Sequence, residues 1–248
     1  MPETRTIALD VLRFHPDGPQ EPYVQRFEIP YTEDMSVLQG LQHVKDAIDG
    51  SLTFRWSCRM AICGSCGMMI DGTPQLACRT FLRDLAPGPV RVEALEHFPI
   101  ARDLVVDMGD FMEKLPRIRP WIEPAEPRAL ADGEHRQSPA QLRRFESLSH
   151  CINCLLCYAA CPQYGLDSRF LGPGLTALML RYDEDSRDAG RAARMEVAGS
   201  EEGVFACTAV GYCSEVCPKQ VDPANAVNRT KGEAAVGWLV GLAKGGGK

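Results

Sequence analysis

Residues 6–14, TIALDVLRF, put Ile7, Leu9 and Val11 on one face, a period of two that predicts a strand. The Pro- and Gly-rich residues 15–22 predict a turn. Alternation resumes over 23–30, with Phe27 and Ile29 in register, as for a hairpin partner. From Ser36 the period changes: Val37, Leu41, Val44 and Ile48 recur at helical spacing, and Gly50 is a plausible stop. Phe54 and Trp56 open a short apolar segment leading into the first cysteines. Residues 67–70 followed by Asp71-Gly72 read as a strand and a tight turn, and 90–93 as another short strand. The first hundred residues therefore predict a small mixed sheet with one packed helix.

Further on the pattern is helical. Asp103 stands as an N-cap before Leu104, Val105, Met108, Phe111, Met112 and Leu115, with Pro116 ending that helix. Residues 116–135 carry four prolines and read as a crossing loop. Ser138-Pro139-Ala140-Gln141 is a helix start that leads the chain into Cys151. Gly172-Pro173 opens a segment carrying Leu175, Leu178, Met179 and Tyr182. Asp222-Pro223 starts a last helix with Ala226, Val227 and Thr230 on one side, and the tail 244–248 is expected to be disordered. The charged run 181–191 reads as a solvated face or a subunit rim.

A chain of 248 residues with 45% hydrophobic and 24% charged residues suits one or two globular domains. A net charge of −6 gives no support for nucleic-acid binding. The anomaly is 11 cysteines. A disulfide framework belongs to short secreted chains, whereas MPETRTIALD has no apolar core of a secretory signal. No apolar run approaches the ~18 residues of a membrane span, the richest late stretch, 236–243, being far too short. Clustered cysteines then point to metal.

The cysteines fall into three groups. Residues 151–162 read CINCLLCYAACP, the C-x2-C-x2-C-x3-C-P run of cubane iron–sulfur proteins, in which the fourth cysteine serves the other cluster. Residues 207–218, CTAVGYCSEVCP, overlay on it with Cys207, Cys213 and Cys217 kept and Val210 in place of the second cysteine. The overlay assigns Cys151, Cys154, Cys157 and Cys217 to a [4Fe–4S] cluster. It leaves Cys161, Cys207 and Cys213 for another centre, and three thiolates beside a valine suit a [3Fe–4S] cluster. Cys58, Cys63 and Cys66, with Cys78 further on, have the plant-type [2Fe–2S] spacing. Gly64 and Ser65 between them let backbone N–H groups turn toward the sulfurs. Zinc is the alternative, since paired CxxC units also bind it. Two zinc sites would use eight cysteines, and the last two motifs supply seven. Buried structural thiols would have no reason to leave none over.

Three clusters in one chain make a wire. His15, His43, His97, His135 and His150 stand singly and show no ligand spacing, although His150 adjoins Cys151 and could tune its cluster. No GxGxxG follows a strand and no nucleophile–base constellation appears, so the chain has no catalytic residues of its own.

The runs RWSCRMAICGSCGMMI, LACRTFLRD, CINCLLCYAACPQYGL, RYDEDSRD and CTAVGYCSEVCPKQVDP resemble, in order over nearly the whole chain, the iron–sulfur subunit of succinate dehydrogenase and fumarate reductase, nearest to the bacterial fumarate reductase type. The resemblance implies an α+β chain: an N-terminal β-grasp [2Fe–2S] ferredoxin-like domain over 1–105 and an all-α [4Fe–4S]/[3Fe–4S] ferredoxin-like domain over 106–248. It implies a succinate:quinone oxidoreductase of the tricarboxylic acid cycle, with the dicarboxylate site and FAD in a flavoprotein partner. It also implies membrane-anchor subunits that hold the chain, as a peripheral subunit, on the cytoplasmic face of the cell membrane. The family's quinone pocket maps onto Pro162, Gln163, Leu166, Thr208, Val210 and Lys231. Ubiquinone-using members usually carry Trp and His where this chain has Leu166 and Thr208, which points to menaquinone. A lysine on a last helix is also, more blandly, a solvated residue. The competing readings are the cluster subunit of another flavin-linked dehydrogenase, a free electron carrier, and a zinc-binding interaction module.

Overall fold

The computed structural model describes residues 5–18, 21–126 and 128–243, without the side chains of 241–243. The tail expected to be disordered lies outside these residues. Contacts divide the chain into two compact units, Met1–Met108 with Ile152–Ala160, and Gly109–Cys151 with Cys161–Lys248.

The first unit is built on a five-stranded mixed sheet. Its strands are β1 (Arg5–Arg13), β2 (Tyr23–Tyr31), β3 (Gly67–Ile70), β4 (Thr73–Leu76) and β5 (Val90–Glu93), in the order β2-β1-β5-β3-β4. β1 and β2 form the expected antiparallel hairpin, with Ile7 opposite Ile29 and Leu9 opposite Phe27. β5 joins β1 in parallel, Leu9 beside Val90 and Val11 beside Val92. The alternating apolar positions of β1, β2 and β5 are buried, which fixes the register, since a slip of one residue would turn each set to solvent. β3 and β4 are joined by Asp71 and Gly72 at φ 47° and 74°, the left-handed pair that a two-residue hairpin turn requires.

One helix, Val37–His43, covers this sheet. Ser36 and Gln39 cap it reciprocally, Ser36 Oγ accepting from the Gln39 N–H and Gln39 Oε1 accepting from the Ser36 N–H. At Gly40 a methyl group would stand 2.9 Å from Ile29 Cδ1 and 3.3 Å from Leu9 Cδ1, so glycine sets how closely helix and sheet approach. Val37, Leu41 and Val44 face the core, but Ile48 is exposed. The chain widens into a π-turn over Val44–Ile48, closed by the Asp49 N–H on the Val44 carbonyl, and the extra residue per turn rotates Ile48 off the buried stripe. Gly50 is not left-handed; Asp49 leaves the helix in extended conformation.

Asp103 is not a helix cap. It occupies a left-handed turn between the short strands Ile100–Arg102 and Val105–Val106, and the helix starts only at Gly109. Its buried carboxylate accepts from the N–H groups of Phe14 (3.0 Å) and Thr53 (2.8 Å) and pairs with Arg13 Nε at 3.0 Å. The same preference for backbone donors that makes Asp a cap makes it a tie between three distant segments.

The second unit is mainly helical. Its longest elements are Pro173–Asp183, Arg191–Ala198 and Pro223–Ala243, and Ala226, Val227 and Thr230 of the last are buried as expected. Ser138 and Gln141 form the expected capping box, but that helix stops at Arg143, and a 3-10 turn, Leu148–His150, delivers Cys151. The described residues of 116–135 are irregular, with 3-10 turns at Leu115–Ile118 and Leu130–Asp132.

The charged run 181–191 is not a solvated face. The side chains of Asp183, Asp185 and Arg194 are buried, because each charge meets a partner. Arg194 Nε donates to Asp183 Oδ1 at 2.7 Å, its other nitrogens reaching Asp188 and the Arg119 carbonyl. Asp185 pairs with Arg181 at 2.9 Å and Arg187 at 2.7 Å, and Glu184 with Arg144 at 2.7 Å and with Arg229. Burial pushes the Asp183 carboxyl up to about 6 against the pull of Arg194. Burial also raises Asp185, but hydrogen bonds from Arg187 outweigh it and hold this carboxyl at about 2.

Removing the cation would leave carboxylates buried without a counter-charge. Arg194→Met is expected to cost about 3–5 kcal/mol, read as a lower urea midpoint of the cluster-loaded protein. Arg117→Met, which breaks a half-exposed pair with Glu202 at 3.1 Å, should cost under about 1 kcal/mol. Equal losses would show that the buried network carries no special weight.

Candidate metal centres

The first centre lies in the sheet unit. Cys58, Cys63, Cys66 and Cys78 stand on the loop before β3 and on the turn after β4, and none is in a disulfide. Arg59, Ala61 and Gly64 are left-handed, at φ 58°, 56° and 73°. These left-handed turns curl the backbone so that its N–H groups point inward. Cys58 Sγ accepts from the N–H groups of Met60 (3.4 Å), Ile62 (3.3 Å) and Cys63 (3.3 Å). Cys63 Sγ accepts from Cys58 N and Cys78 Sγ from Ala61 N. The Cys58 N–H, with Ser65, draws the Cys63 thiol down to about 6, whereas burial and the neighbouring thiols Cys78 and Cys63 push Cys66 up to about 12. Converging donors around four adjacent sulfurs suit a group that makes all four thiolate and carries negative charge, as a [2Fe–2S] cluster does. Arg59 stacks on Trp56 at the rim, 4.4 Å from the ring centroid.

This loop meets another within the same unit. A methyl group on Gly64 would stand 2.8 Å from the Ile152 carbonyl oxygen and 2.9 Å from Cys154 Cβ; one on Gly67 would stand 3.0 Å from the Cys154 carbonyl oxygen. Glycine at these positions lets the backbone carrying Cys63 and Cys66 touch the backbone carrying Cys154.

The two later motifs share one backbone path. Residues two and four after Cys151, Asn153 and Leu155, are left-handed, and so are Ala209 and Gly211, two and four after Cys207. A four-residue helix follows each, Leu156–Ala159 and Tyr212–Glu215. The equivalence supports laying one motif over the other, with the exposed Val210 in the place of Cys154. Residue type announces none of this, apart from Asn153 and Gly211, so the left-handed Arg59, Ala61, Leu155 and Ala209 were not readable beforehand.

In the helical unit Cys161, Cys207 and Cys213 are near neighbours. Burial raises the thiol of Cys161, with Cys207 adding to it; burial, then Cys161 and Cys207, push Cys213 up to about 12. Cys151 and Cys217 pack against the apolar cluster of Leu148, Ala177, Leu180, Val221 and Ala226. Cys217 Sγ accepts from the Val221 N–H at 3.4 Å, and Cys207 Sγ from Ala209 N at 3.3 Å. Among the described residues no three His, Cys, Asp or Glu side chains converge as on a single ion; a cluster spreads its ligands over separate irons.

Of the residues mapped to a quinone pocket, Pro162, Gln163 and Leu166 lie on the short helix Pro162–Leu166, with Leu166 exposed, and Thr208 and Val210 are exposed on the Cys207 loop. Lys231 is not free in solvent: its ammonium donates to the Cys207 carbonyl at 2.7 Å. His150 is exposed in its 3-10 turn.

A 2Fe-2S iron-sulfur cluster binding domain model matches residues 8–113, and a 4Fe-4S dicluster domain model matches 144–218. The chain is 54% identical, over 92% of its length and 93% of the relative's, to the fumarate reductase iron-sulfur subunit of Mycobacterium tuberculosis. It belongs to the iron–sulfur subunit family of fumarate reductase and succinate dehydrogenase. The fumarate reductase iron-sulfur subunit of Escherichia coli O157:H7 is 49% identical over 98% of this chain and 99% of its own length. A mitochondrial succinate dehydrogenase [ubiquinone] iron-sulfur subunit of Arabidopsis thaliana is 36% identical over 89% of this chain and 72% of its own. Among solved structures, the Mycobacterium smegmatis Sdh1 complex in the apo form has a chain with TM-score 0.85 and 28% identity, covering 94% of this chain and 96% of that one. Membership of this family bears out the α+β fold of a [2Fe–2S] domain followed by a dicluster domain, and decides for iron–sulfur over zinc.

The glycine contacts give a test. Gly64→Ala and Gly72→Ala both place a side chain on a left-handed residue, at about 1–2 kcal/mol, but only Gly64 is crowded, nothing lying within 4 Å of a methyl at Gly72. Gly64→Ala should lose [2Fe–2S] content per purified chain while Gly72→Ala keeps it. Equal retention would mean that the loop contact is not required.

Proposed function

We propose that this subunit relays electrons between the FAD of a flavoprotein partner and a membrane quinone, menaquinone, through [2Fe–2S], [4Fe–4S] and [3Fe–4S] clusters. The observation that carries it is the set of cysteine loops with inward-turned N–H groups in a chain 54% identical to a fumarate reductase iron-sulfur subunit. The ligands are Cys58, Cys63, Cys66 and Cys78 in the 1–105 domain. In the 106–248 domain they are Cys151, Cys154, Cys157 and Cys217 for [4Fe–4S], and Cys161, Cys207 and Cys213 for [3Fe–4S]. Bound there, the clusters supply a series of one-electron carriers.

The chain's own residues hold the sulfurs, aim hydrogen-bond donors at them, and bring successive loops into contact. Donors to sulfur favour the more negative, reduced state, so loop geometry bears on potential. Val210 offers no metal-binding atom at the fourth position of the second motif, which supports a three-iron centre. Pro162, Gln163, Leu166, Thr208, Val210 and Lys231 line the quinone site in this reading. The exposed Leu166 and Thr208 present no ring or imidazole to a quinone carbonyl. Lys231, bonded to the Cys207 carbonyl, joins that site to the ligand loop. Membrane-anchor subunits hold the chain on the cytoplasmic face of the membrane; among the described residues no helix is long and apolar enough to cross it.

Low-temperature EPR of the purified complex should show a three-iron signal when oxidised and a [2Fe–2S] signal when reduced. Val210→Cys is expected to diminish the three-iron signal in favour of a four-iron one; an undiminished signal would count against the assignment. Succinate and fumarate turnover should couple to menaquinone, and turnover with ubiquinone alone would reject the quinone assignment.

A further inference from the structure

Cys161 is followed by a helix of five residues, Pro162–Leu166, for which it serves as N-cap. Its sulfur accepts from the Tyr164 N–H at 3.5 Å and also from that of Gln163. A helix this short is not stable by itself, so other groups must fix where those N–H groups point. The Tyr164 side chain is buried and its hydroxyl donates to Asp110 Oδ2 at 2.7 Å. Lys114, one turn after Asp110 and only 5% exposed, donates to the same oxygen at 2.7 Å. The ammonium also donates to the Ser168 carbonyl and, at 3.2 Å, to the Phe170 carbonyl, and lies 5.2 Å from the centroid of the Tyr164 ring.

A buried ammonium is tolerated only where its three donors find acceptors, and here the acceptors are of two kinds. One, through Asp110, ties down Tyr164 in the helix. The others tie down the backbone just beyond it. The helix is thereby pinned on itself and on its exit. We infer that Lys114, Asp110 and Tyr164 form a clamp that holds the Tyr164 and Gln163 N–H groups on the Cys161 sulfur and so raises the reduction potential of the centre that Cys161 ligates. This rests on the assignment of Cys161 to the three-iron centre made above. The three are positioning residues: none supplies an atom to the cluster, and each acts through the backbone that donates to its sulfur. An N–H hydrogen bond to a ligating sulfur offsets the charge added on reduction, so slackening it disfavours the reduced state.

The test is an EPR redox titration of the whole membrane complex carrying Tyr164→Phe, which removes one hydroxyl from the clamp, and separately Lys114→Met. Tyr164→Phe is expected to lower the equilibrium constant for one-electron reduction of the three-iron centre by up to about tenfold, ~59 mV, with the [2Fe–2S] potential unmoved. Lys114→Met is expected to lower it at least as far, or to lose the three-iron signal selectively while the [2Fe–2S] signal stays. An unmoved three-iron potential in Tyr164→Phe overturns the inference, as does an equal shift or equal loss of both signals, which is what a general packing defect would give. A wild-type complex with no three-iron signal would instead overturn the ligand assignment, and the clamp's role with it.

Discussion

Thiolates gathered round iron concentrate negative charge. Backbone N–H groups aimed at the sulfurs offset such charge, and in three cysteine loops they accompany left-handed residues. In the first loop these are Arg59, Ala61 and Gly64, in the second Asn153 and Leu155, in the third Ala209 and Gly211. A left-handed non-glycine residue costs about 1–2 kcal/mol, and five of these seven are not glycine. Such conformations persist only where the surroundings over-determine them. The rest of the chain can be understood as what does so.

The two units meet that demand by different means. In the first, a sheet with buried, registered apolar faces forms a stiff platform, and the sulfur loop spans from the segment before β3 to the turn after β4. Asp103 and Arg13 tie the loose segments around it to β1. Close approach at Gly64 and Gly67 then leaves one sulfur loop no room to move relative to the Cys154 backbone packed on it.

Much of this was legible in the residues. The period-two strands and their register follow from which apolar positions must be hidden. The cysteine spacings mark a [2Fe–2S] domain followed by a dicluster domain, as the family models have it, and the shared left-handed path after Cys151 and Cys207 gives the motif overlay a conformational basis. What could not be read are choices between equivalent satisfactions of one group. Asp103 could equally cap a helix or tie a left-handed turn, because either provides backbone donors. Ile48 continued a helical stripe until a π-turn shifted its phase. The run 181–191 looked solvated because the partners of Asp183 and Glu184, namely Arg194, Arg144 and Arg229, lie outside it, and long-range pairing leaves no local trace.

Among its described residues the helical unit has no sheet to stiffen it. The helices beside its cysteines are four or five residues long, too short to hold a conformation by their own hydrogen bonds. The apolar cluster against which Cys151 and Cys217 pack is small. Buried ion pairs add direction to the apolar packing: Arg194 joins Asp183 and Asp188, and Glu184 draws Arg144 and Arg229 together. Such pairs are poor sources of net stability, because desolvation offsets their attraction, yet each is satisfied in only one arrangement. Lys114 works the same way on the turn after Cys161. Apolar packing would tolerate a helix displaced along its groove, whereas a buried charge does not tolerate a lost partner. For a unit whose task is to keep sulfurs and N–H groups in register, that intolerance is the useful property.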